Sequence, residues 1–104
     1  MTFQEFKNLL LSVSSDVYHF ESQKKSEYIV WYEIGSVGLS GDNSIAETGT
    51  IIAVDYFTKQ EYSEIPDRIT AALDGCDNIA VDRPSVIFDE DLKLIHYAWT
   101  CEVV

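Results

Sequence analysis

Few residue types in this chain could make or break a bond. The histidines are His19 and His96, and the cysteines are Cys76 and Cys101. A thiolate nucleophile needs a base within hydrogen-bond reach. Cys101 and His96, however, stand an odd number of positions apart in one strand-like run. Side chains alternate faces along a strand, so the two point apart. Neither cysteine has CxxC spacing or a histidine at metal-ligand spacing, so both are expected as free thiols, one or both packed as small hydrophobes. Asp89, Glu90 and Asp91 form an acidic cluster of the kind that assists a metal or acts as general acid and base. Consecutive carboxylates between two strand-like runs read instead as the solvated end of a hairpin. Asp42, Asn43 and Glu47 offer oxygen ligands without the spacing of an EF-hand loop. Gly35, Gly38 and Gly41 lack the lysine and the strand–loop–helix context of a phosphate loop, and no GxSxG elbow precedes a helix. The residues predict no catalytic site, no metal, no cofactor and no small-molecule substrate; only scattered carboxylates favour an enzyme.

Positioning elements follow from the pattern of apolar residues. The strongest unit is Thr48 to Leu73. Gly49 to Lys59 is apolar at nearly every position, with Ile52, Val54 and Tyr56 on one face and Ile51, Ala53, Asp55 and Phe57 on the other, as expected of a mid-sheet strand. A helix follows, with Ser63 as N-cap, Pro66 in its first turn and Ile65, Ile69, Ala72 and Leu73 as its inward stripe. Gly75 reads as a left-handed stop. An earlier helix begins at Thr2, where Thr2 and Glu5 form a capping box and Phe3, Phe6, Leu10 and Val13 recur at helical spacing; Ser14 to Asp16 ends it. Tyr28 to Ile34 is a strand with apolar residues on both faces. Either a helix covers each face, or the face of Ile29 and Trp31 meets another subunit. Val17 to Phe20 and Val86 to Phe88 are short strand candidates, Ile79 to Val81 leads to a loop or edge at Asp82-Arg83-Pro84, and Leu92 to Val104 alternates over its whole length. This order predicts an α+β fold, a mostly antiparallel sheet of four to five strands with two helices packed on one face.

At 104 residues the chain has the size of one domain and needs no metal or disulfide staple. Residues 1–104 are therefore expected to form a single α+β domain with a long flexible loop at about 35–48. Seven Lys+Arg against eighteen Asp+Glu give a formal charge of −11, which repels phosphate backbones. No apolar run approaches the ~20 residues that cross a bilayer. The start lacks a basic n-region and continuous apolar stretch, so cytoplasmic residence is expected.

Three segments together carry a family resemblance: Glu27 to Tyr32 with the Gly and Asp42-Asn43 loop, Val54 to Lys59 with the helix to Leu73, and Asp91 to Tyr97 running to the C-terminus. In order and length the chain resembles the small tail-terminator or head–tail joining proteins of long-tailed bacteriophages, especially those of phages and prophages of Gram-positive bacteria. The resemblance implies a homo-oligomer, a hexameric ring that caps the tail tube, joins it to the head connector protein and lets DNA pass without specific binding. It would assemble in the host bacterial cytoplasm and then reside in the virion, at the head–tail junction. Its partners would be itself, the tail-tube protein and the connector, with no membrane. Ile29, Trp31, Val37, Leu39 and Ile45 are the expected apolar contacts, with Asp42 and Asn43 beside them. The competing reading is an acidic binding module, an inhibitor or immunity protein that blocks a basic partner surface.

Overall fold

The computed structural model describes residues 1–37, 40–41, 44–45 and 49–104, and for residues 37, 40, 41, 44 and 45 it describes the backbone. Helix α1 spans Phe3–Leu11 and begins at the expected capping box: Oγ1 of Thr2 accepts from the Glu5 N–H at 3.1 Å, and Oε1 of Glu5 accepts from the Thr2 N–H at 3.0 Å. That backbone donor, reinforced by the Thr2 side chain, holds the Glu5 carboxyl below its ordinary range. The helix stops at Leu11, short of the expected serines, with Ser12 as its C-cap.

Strand β1 is Val17–His19, β2 is Tyr28–Val37, β3 is Ser40–Gly41, β4 is Ser44–Ile45 and β5 is Gly49–Thr58. Helix α2 covers Ile65–Asp74 and is followed by β6 (Ile79–Val81), β7 (Ser85–Asp89) and β8 (Leu94–Val103). The fold is α+β, as expected, but the main sheet has six strands rather than four to five. Its order is β1-β2-β5-β8-β6, and β7 also pairs with β8. All pairings are antiparallel except β1 with β2. The near-continuous apolar run of β5 lies mid-sheet between β2 and β8. Nine residues of β2 pair with nine of β5, from Tyr28↔Phe57 to Val37↔Gly49, with a bulge between Glu33 and Gly35 that leaves Ile34 exposed. Residues 35–37 are thus strand, and β3 pairs with β4 beyond them, Ser40 opposite Ile45.

Both helices lie on one face of the sheet. Phe6 and Leu10 of α1 and Ile69 and Leu73 of α2 close over Ile29, Trp31, Ile52, Val54, Trp99 and Cys101. Fully burying each of these large side chains is worth roughly 1.5–3 kcal/mol. The opposite face carries a second cluster of Tyr28, Val30, Phe57 and Leu94, with Tyr18 and Tyr32 packed against it.

Two details of α2 differ from the sequence expectation. Its N-cap is Glu64, which makes no capping bond; Ser63, one residue earlier, still accepts from the Ile65 N–H at 3.2 Å and pairs its hydroxyl with that of Tyr56. Gly75 is right-handed, at φ −75 and ψ −2, not left-handed. A Cβ there would sit 3.0 Å from the Ala71 carbonyl oxygen, so close approach and not handedness favours glycine.

Candidate functional site

The polar side chains that could do chemistry are tied into the frame. His96 on β8 stacks on Phe57 at 4.4 Å between ring centroids, and its Nε2 lies 2.9 Å from Oδ1 of buried Asp55. Burial, and then the Asp55 carboxylate, push the Tyr32 hydroxyl above its ordinary range. His19 repeats the arrangement on the helix side, stacked on Trp31 at 4.0 Å with Nε2 2.5 Å from Oε1 of Glu33. Each histidine therefore works as an aromatic plate with a carboxylate anchor. Cys101 is fully buried, and burial pushes its thiol up to about 12, far from a reactive thiolate. Cys76 is also a free thiol. It packs half-buried against the main core.

The acidic cluster is structural at its first member. Oδ1 of Asp89 accepts from the N–H groups of Asp91 and Leu92, both at 3.0 Å, closing the β7–β8 turn. Among the described residues no group of three or more His, Cys, Asp or Glu converges as a metal site.

Of the expected contact residues, Ile29 and Trp31 are described with their side chains. Ile29 and Trp31 are buried in the subunit's own core beneath α1, where Trp31 meets Phe6 at 5.4 Å between ring centroids. Of the two openings left by the strand pattern, the covering helix is the one observed for this face. Leu39, Asp42 and Asn43 lie outside the described residues, as do the side chains of Val37 and Ile45.

What the structure does leave open is the flank of β8 away from β5. Strands β6 and β7 share that flank, and β7 is an edge strand. Val86, Ile87 and Phe88 are all more than half exposed, on consecutive positions and hence on both faces of the strand. Leu92 at the turn is exposed too, and Tyr62, in the loop before α2, is 93% exposed. Phe88 and Tyr62 line a groove of about 590 Å³ with Lys59, Gln60, Glu61, Lys93 and Ile95. Edge strands are ordinarily blunted by charge, proline or cover; Arg83 and Pro84 precede β7, but its middle three residues carry no such device. An exposed apolar edge beside a groove has the composition of the patches that protein partners cover. Sequence reasoning recognised this strand without assigning it a role. The signal was present in the unbroken Val86-Ile87-Phe88 run, which lacks the alternation of a strand with one wet face.

No family model and no curated protein matches this chain. Among solved structures, a chain of "Virion of native gene transfer agent (GTA) particle" aligns over 91% of this chain and 83% of its own length, at 12% identity and a TM-score of 0.49. Likeness at that level carries no function from one chain to the other.

Proposed function

We propose that this chain is a non-enzymatic virion assembly protein that forms a ring on the end of a phage tail tube and joins it to the head connector. Two things support the reading: the family resemblance of its segments, and the free apolar edge at β7. The edge is the main support, because three adjacent apolar side chains on a strand paired along one side only stay exposed in the isolated chain. A closed ring needs such a heterologous contact surface, repeated from copy to copy. The net charge of −11 suits a channel through which DNA slides without adhering, since like charges repel.

The test is tube growth. Tail-tube protein is polymerised with and without this chain, and the tubes are imaged and measured. Shortened tubes with an added ring at one end are the expected result. Tubes of unchanged length with bare ends, at an excess of this chain, refute the capping role.

A further inference from the structure

We infer that the groove beside β7 receives the acidic β6 end of a neighbouring copy, so that subunits join head to tail along their sheets. The inference rests on the ring reading and names the two surfaces that would make the ring.

Charge is distributed unevenly along β8. Near its start, two lysines, Lys59 and Lys93, line the β7 groove with one carboxylate, Glu61, and Lys24 and Lys25 border the adjoining depression at Leu94. Those four are most of the seven cations in the chain. Lys25 is held by Asp16 at 2.9 Å, but Lys24, Lys59 and Lys93 meet no carboxylate within 4 Å among the described residues. Near the end of β8 the charged lining is acidic throughout. A second groove of about 420 Å³ runs along β6, lined by Asp74, Asp82 and Glu102 with Ile79 and Val81 between them and no cation.

Ile95 in the first groove and Glu102 in the second are seven positions apart on one strand, or ~23 Å at ~3.3 Å per residue. The two grooves therefore cannot meet within one molecule, whereas two copies bring them together. A partner for the lysine groove must be acidic and must offer apolar surface to Phe88 and Tyr62. The β6 end of this same chain has both properties.

Charge reversal tests the contact. Two double variants are made on exposed positions, Lys59→Glu with Lys93→Glu, and Asp74→Lys with Asp82→Lys, and circular dichroism verifies that each is folded. Particle mass is then measured for the wild type, each variant and their equimolar mixture, alone and with tail-tube protein. Each variant alone juxtaposes like charges and should self-associate more weakly by about 100-fold. The mixture should recover assembly, because alternating copies again present opposite signs. Wild-type-like assembly by either folded variant, or no recovery in the mixture, overturns this contact while leaving the ring reading intact. A wild type that stays monomeric in both conditions removes the ring reading and this contact together.

Discussion

The two tryptophans stand on the same face of the sheet and differ by one bond. Nε1 of Trp99 donates to Oγ1 of Thr70 at 3.0 Å, whereas buried Nε1 of Trp31 has no partner among the described residues. Trp99→Phe should therefore cost about 1 kcal/mol more than Trp31→Phe, and Thr70→Val, which strands the Trp99 donor, about 1–3 kcal/mol. Denaturant midpoints of the three variants check the order. Cys101 supplies a pH dependence. Its folded thiol is raised to about 12 from an ordinary value of 9.0. The folded state then holds a proton that the unfolded chain releases, so this contribution is complete below pH 9.0 and is lost as pH climbs towards about 12. Cys101→Ala should flatten that part of the alkaline unfolding profile; an unchanged slope contradicts the assignment. Alternation alone located Ile29 and Trp31 on one face. It could not tell whether a helix or another subunit covers them, because both present the same apolar demand.

At the scale of elements, long periodic segments showed their faces, whereas among the short ones β1 and β7 were legible as candidates and β6 was not. The ten residues of β5 and of β8 each show their faces in the sequence, and the capping box at Thr2 marks the start of α1. Strands β1 and β6 have three residues apiece, too few to establish a period, which is why the expected count fell below six. The parallel pairing of β1 with β2 was invisible for a different reason. Parallel neighbours usually need a crossover of a dozen or more residues, and here only the segment from Phe20 to Glu27 intervenes. Helix α2 gives the plainest stability prediction. Leu73 is fully buried against the sheet, so Leu73→Ala should cost about 2–5 kcal/mol by thermal or denaturant unfolding. Ile87 on edge strand β7 is more than half exposed, and Ile87→Lys should change stability by only about 0.5 kcal/mol.

For the whole molecule, composition made the charge visible but not its arrangement. A value of −11 describes a sum. Only the fold brings Lys59 next to Lys93 and separates both from Asp74 and Asp82. The apolar surface was equally hidden, because Tyr62 and Phe88 are distant in sequence and adjoin only across the groove. Exposed ion pairs are screened over ~8 Å at physiological salt. Assembly through these grooves should therefore weaken as salt rises, and light scattering across a salt titration reads that directly.

Ring formation requires that the β7 edge join copies of this chain. Particle mass is best compared for the wild type and folded Ile87→Lys at matched concentrations. A ring near six times the 11.8 kDa chain mass is expected for the wild type and monomer for the variant. Equal masses for the two proteins, whether both rings or both monomers, would contradict a role of the edge in assembly.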